Sequence, residues 1–187
     1  HSVGVLGPNG RGTAAHFNLT DKVDIIMGTF SKSFASCGGF VAGSKALCNW
    51  LRHNARSFIF SASPPPANCA TVLAVLDLIE EDDSYRKNLL DISDRMRNGL
   101  LEAGFEIGNS STPIIPIIIG KEILTFKFYK RLFSSTPKGV FTNPIRAPAV
   151  PKGRELLRTS YMATMSNDVV DEALDIITKV GRKMKII

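Results

Sequence analysis

Between residues 84 and 104 apolar side chains recur at helical spacing: Tyr85, Leu89, Ile92, Met96, Leu100 and Ala103. Lysines and arginines fill the opposite side. Such a stripe must be covered by something, so the helix it predicts belongs to a packed layer. Ser84 is placed to cap its start, and Gly104 to end it. The texture differs on its two sides. Before it come short apolar runs at 23–27 and 40–42, a third strand candidate at 58–60, and a helix opened by Pro66 with Val72, Val75, Leu76 and Ile79 inward. After it, 105–107 and 114–119 read as strands, the second buried on both faces. Residues 121–134 read as a helix, 139–142 and 155–161 as further strands. Ser166 or Asn167 caps a last helix that turns Val169, Val170, Ala173, Leu174, Ile177 and Val180 inward.

The expected architecture is α/β. Residues 1–83 form part of a larger, mainly parallel-sheet domain, and residues 84–187 a small α+β domain. A hydrophobic content of 44% suits a globular chain. The longest apolar run, 114–119, contains Pro116 and is far shorter than the roughly 20 residues of a membrane span. The three cysteines, Cys37, Cys48 and Cys69, have no metal-ligand spacing and suit a reducing cytoplasm. The net charge of +6 is scattered, without the aromatic-interleaved basic stripe of an RNA binder, so nucleic acid is not the expected partner. A phosphate-rich small molecule fits the charge as well.

The segment Gly28-Thr-Phe-Ser-Lys32-Ser-Phe-Ala-Ser-Cys-Gly-Gly39 sets one lysine among hydroxyls and glycines just after a strand. Its N–H groups and hydroxyls can hold a phosphate. A partly desolvated lysine there becomes a nucleophile able to form a Schiff base. The spacing matches neither a Walker loop nor a dinucleotide fingerprint. A lysine in such a loop is otherwise a solvated turn. Arg158 lies in the alternating run 155–161, where an inward guanidinium needs an anion: a ligand carboxylate or an internal acidic partner.

Gly28-Thr-Phe-Ser-Lys32-Ser resembles the cofactor-lysine motif of the α-oxoamine synthases, pyridoxal-phosphate enzymes of fold type I. Other stretches resemble that family in order: His1-Ser-Val-Gly-Val-Leu-Gly-Pro-Asn-Gly-Arg-Gly12, Gly38-Gly39-Phe40, Phe58-Ile-Phe-Ser61-Ala-Ser63, Ala149-Val-Pro151 and Leu156-Leu-Arg158. The resemblance implies that Lys32 carries pyridoxal 5′-phosphate and moves the substrate α-proton. It implies that His1 and Thr29 meet the cofactor's phenolic oxygen, that Ser31 meets its phosphate, and that Ser61 reaches the phosphate of a partner subunit in a homodimer with shared active sites. Arg158 would hold the amino acid's carboxylate.

Arg146, twelve positions earlier in Asn143-Pro-Ile-Arg146-Ala-Pro, resembles an arginine of bacterial serine palmitoyltransferases that meets the same carboxylate. The implied reaction condenses an acyl-CoA with serine or glycine. A serine-palmitoyltransferase-like activity is expected first, then glycine C-acetyltransferase or 8-amino-7-oxononanoate synthase. An inactive regulatory partner is the non-enzymatic alternative. The resemblance also makes the chain the latter half of a protein about twice its length. The strand at 23–27 would then have an exposed edge, and the stretch alone would be inactive.

Overall fold

The computed structural model describes all 187 residues, His1–Ile187. The chain divides into two units, His1–Arg86 and Lys87–Ile187. No helix is long and apolar enough to cross a membrane.

In the first unit two short turns, Pro8–Gly10 and Thr20–Lys22, flank helix α1 (Thr13–His16). Strands β1 (Ile25–Thr29) and β2 (Gly39–Gly43) follow. They run antiparallel in a register that sets Thr29 opposite Gly39, where a mainly parallel sheet is expected for the large domain. Helices α2 (Lys45–Asn54), α3 (Arg56–Ile59) and α4 (Pro66–Glu81) complete the unit. Ser44 caps α2 by accepting from Leu47 N–H at 3.2 Å. The strand expected at 58–60 is instead helical: a short apolar aromatic run carries no period long enough to separate the two states. Pro66 opens α4 as expected, with Val72, Val75 and Ile79 half-buried and Leu76 exposed.

Helix α5 (Ser84–Ala103) starts in the first unit and continues into the second. Its cap comes from Asp82, whose Oδ1 accepts Ser84 N–H at 2.8 Å; Ser84 itself is the first helical residue. Gly104 ends the helix at φ +99°, a left-handed conformation that other residues adopt only with strain. Next come β3 (Ile114–Ile118), α6 (Glu122–Phe133), β4 (Asn143–Ile145), β5 (Leu156–Ser160) and α7 (Asn167–Lys183). The strands form an antiparallel sheet in the order β3-β5-β4.

The second unit has one core. Ile92, Met96 and Leu100 of α5 meet Ile115 and Ile117 of β3, Leu157 of β5, Phe128 and Leu132 of α6, and Val170 and Ile177 of α7. Each such side chain contributes roughly 1.5–3 kcal/mol when fully buried. Strand β3 alternates buried and half-buried positions, so one face is in the core and not both. Alternation follows from the pleat. The stretch 105–107 is not a strand, although Phe105 and Ile107 are buried. The strand expected at 139–142 lies just beyond, at β4, and its Pro144 is tolerated because β4 is an edge. Ser166 caps α7 by accepting from Val169 N–H; Val169, expected inward, is exposed.

Candidate active site

Strand β1 ends at Thr29 and β2 starts at Gly39, so Lys32 rides on the loop that joins two antiparallel strands. Backbone bonds close the loop. Phe30 N–H donates to Gly38 O at 2.9 Å, Ser36 N–H to Phe30 O at 2.8 Å, and Ala35 N–H to Lys32 O at 3.0 Å. The ring of Phe30 meets Phe34 edge-on at 5.7 Å and stacks on Phe40 at 5.9 Å, which gives the loop an apolar base. Ala35 is held at φ 48°, an uncommon conformation for a residue with a Cβ and one that clusters at functional loops.

A line of polar atoms runs across the tip. Thr29 Oγ1 and Ser31 Oγ lie 2.9 Å apart, Ser31 N–H donates to Thr29 Oγ1 at 3.2 Å, and Lys32 Nζ donates to Ser31 Oγ at 3.2 Å. The structure thus brings together three of the residues singled out in the sequence: Thr29, Ser31 and Lys32. No carboxylate joins them. Lys32 is exposed, so the desolvation expected for it is not supplied by these residues.

Two further serines, unassigned from the sequence, anchor the loop. Ser33 Oγ donates to Val3 O at 2.6 Å, and Ser36 Oγ to Asn68 O at 3.1 Å on α4. Gly4 makes the first contact possible, because a Cβ there would lie 2.6 Å from Ser33 Oγ. Their signal in the sequence was the density of hydroxyls around Lys32. The Ser33 bond ties the stretch that begins at His1 to the residue after Lys32. It is Val3, and not the exposed His1 ring, that makes the contact. Ser61 is apart from this group: its Oγ donates to Ser57 O at 2.5 Å in the last turn of α3.

In the second unit Arg158 occupies the middle of β5, opposite Pro116 of β3 and Asn143 of β4. Its side chain is half-buried, and the buried Nε has no hydrogen-bond partner. An unpaired buried guanidinium nitrogen is costly, and a planar carboxylate is the group that best satisfies it. The internal acidic partner that the sequence left open for Arg158 is not there. Arg146, one residue past β4, has such a partner in Glu122 at the start of α6, at 2.6 Å, with both side chains about half exposed. The pairing spans 24 positions and had no local signal. The structure therefore separates two arginines that the sequence treated alike.

Comparison with known proteins places these features in a family. The aminotransferase class I and II family matches residues 1–177. The chain is 50% identical to a serine palmitoyltransferase of Bacteriovorax stolpii over 96% of its own length and 42% of that protein's. It is 44% identical to a putative 8-amino-7-oxononanoate synthase of Acetivibrio thermocellus, over all of this chain and 47% of that protein. A high-resolution structure of SPT with its PLP internal aldimine superposes with a TM-score of 0.93 at 30% identity, over all of this chain and 47% of that one. The Sphingomonas wittichii serine palmitoyltransferase gives the same values. The chain thus spans about half the length of the relatives it matches. A 187-residue chain with a hydroxyl-flanked lysine loop and an unpaired arginine on a three-stranded sheet belongs to the aminotransferase class I and II family, in its α-oxoamine synthase branch.

Proposed function

We propose that the protein to which this chain belongs joins an acyl-CoA to a small amino acid, with loss of CoA and the amino acid's carboxylate, as a serine-palmitoyltransferase-like enzyme. The observation that carries the reading is Lys32 at the tip of a closed loop, bonded to Ser31 and in reach of no acid. The residues suit pyridoxal phosphate: an amine for its carbonyl, and hydroxyls and loop N–H groups for its oxygens. When bound, that group supplies an electron sink for a substrate's α-carbon. In this reading residues 1–83 contribute to the cofactor domain and residues 84–187 form the small domain.

Lys32 Nζ would hold the cofactor, and its free amine would take the substrate's α-proton. Ser31 Oγ accepts from Nζ and so orients it. Thr29 Oγ1 steadies Ser31 and is offered, with His1, to the cofactor's phenolic oxygen. Arg158 grips the amino acid's carboxylate through its unpaired face, and Arg146 assists once released from Glu122. Ser61 reaches the phosphate of the second subunit in a homodimer. Serine is the favoured amino acid, supported by the 50% identity to a serine palmitoyltransferase. Three free cysteines suit a cytoplasmic location.

The test uses the full-length protein purified with pyridoxal phosphate. Borohydride should fix the cofactor to the peptide bearing Lys32, and recovery of the label on another lysine defeats the assignment. A panel of acyl-CoA thioesters with serine, glycine and alanine then decides the substrate. Turnover of palmitoyl-CoA with serine supports the first choice. Acetyl-CoA with glycine, or a pimeloyl thioester with alanine, moves it to the neighbouring activities.

A further inference from the structure

Arg158 sits in the middle of β5, flanked by β3 on one side and β4 on the other. Pro116 stands directly opposite it on β3, and Pro144 stands opposite Leu157 on β4. Ile119 N–H reaches Glu155 O while Ile118 N–H turns away from β5 to Glu106 O, so by alternation both prolines stand at positions whose N points away from β5 and neither removes a rung from the ladder. Register matters here more than elsewhere. Side chains alternate across a strand, so Leu157 and Thr159 face the core while Arg158 faces the other way. A slip of one residue would turn the arginine into the core and a core residue out.

Side chains add a tie of their own to this ladder. Thr159 is 6% exposed, and its Oγ1 donates to Ile115 O on β3 at 2.8 Å. The same oxygen lies 2.6 Å from Tyr161 Oη, two residues along on the same face. A threonine hydroxyl has one proton. With that proton spent on Ile115, the Tyr161 hydroxyl must be the donor to Thr159. The result is a directed line, from Tyr161 to Thr159 to Ile115, that crosses from β5 to β3 beside the proline. Burial keeps the phenol protonated.

We propose that Thr159 and Tyr161 are positioning residues for Arg158: their hydrogen-bonded line locks β5 in the register that aims the guanidinium at the substrate's carboxylate. The proposal rests on the reading of Arg158 as the carboxylate holder. It adds a specificity device on the reverse face of the sheet, in residues that touch no substrate.

The experiment compares Thr159→Val, Tyr161→Phe, Thr159→Ser, Arg158→Ala and the double variant Arg158→Ala/Thr159→Val in the full-length, cofactor-loaded protein. Amino-acid affinity is read by calorimetry and both KM values by turnover. Thr159→Val and Tyr161→Phe should each weaken amino-acid binding about fivefold, the worth of one buried hydrogen bond. The acyl-CoA KM should stay put. Thr159→Ser, which keeps the hydroxyl, should bind close to the unaltered protein. Thr159→Val should add nothing in the Arg158→Ala background, because the two act through one group. Unchanged affinity in both Thr159→Val and Tyr161→Phe overturns the proposal while leaving Arg158 in its role. So does an equal loss with and without the arginine. If Arg158→Ala itself binds the amino acid normally, the carboxylate reading fails and the proposal goes with it. Should Thr159→Val not fold, Tyr161→Phe and Thr159→Ser carry the same decision.

Discussion

The two units of this chain carry chemistry and packing in opposite proportion. The first, residues 1–86, holds the lysine loop, yet Phe34 is its one buried large apolar side chain, at 5% exposure. It exposes Ile25 at 51%, Met27 at 70% and Phe60 at 82%. The second holds the twelve-residue core, with Arg158 Nε buried on its sheet and without a partner. A strand such as β1, with apolar residues bare, is built to be covered. The lesson is that reactive groups can sit on a part of the chain that contributes little stability of its own, held locally by loop hydrogen bonds. The well-packed part meanwhile carries the arginine proposed to bind the substrate's carboxylate.

The sharpest way to break this comparison is at Lys32. Lys32→Ala should lower turnover of the full-length protein by about 10²–10⁴-fold, the usual worth of a proton-transfer group, with an unchanged thermal midpoint. A large fall in midpoint would mean that the loop is structural after all. The converse is Phe128→Ala, which should cost about 3–5 kcal/mol in denaturant unfolding, since that ring is fully buried. Met27→Ala in the 187-residue chain should fall within about 0.5 kcal/mol of the parent. A clearly larger cost for Met27→Ala in the full-length protein would show that further residues bury β1. Arg158→Ala should weaken amino-acid binding by about 2–5 kcal/mol, with lysine a poor substitute for the planar fork.

Two smaller effects follow pH, and both test the second unit. Tyr161 is raised from 10.0 to about 12, by burial first, against the opposing effects of its hydrogen bond with Thr159 and the charge of Arg97. A group whose folded value is raised contributes stability below its unfolded value and loses it as pH climbs through the folded one. Melting curves should therefore fall between about pH 10 and 12, less steeply in Tyr161→Phe. Asp171 is lowered below the ordinary carboxylate value by its hydrogen bonds from Arg95, which join α7 to α5 at 2.6 Å. Its contribution is present above that ordinary value and fades as pH drops below it. Because the pair is exposed, the loss should be barely measurable, and Asp171→Asn should remove it.

Long periodic stretches were legible in the sequence. The stripe of α5 placed Ile92, Met96 and Leu100 in the core, and that of α7 placed Val170 and Ile177 there. Short runs were not. Phe58 and Ile59 became helix, Phe105 and Ile107 were buried outside any strand, and the strand expected at 139–142 moved to β4. A handful of apolar residues fits several local states, and neighbours distant in sequence choose among them. Within the candidate site the Thr29–Ser31–Lys32 line was legible because its members are adjacent and the loop chemistry is local.

The amino-acid sequence by itself determined the family, the lysine loop and the helices α4 to α7, since each rests on motifs or on a period carried by consecutive residues. Only the tertiary structure decided which arginine is left without a partner. Glu122 reaches Arg146 across 24 positions and leaves Arg158 alone. It also brought Thr159 to Ile115 across 44 positions, the bond proposed here to set the aim of that arginine. Hydrogen-bond partners so far apart meet only when the sheet closes. No local preference encodes them, and their geometry exists once the core behind them is packed.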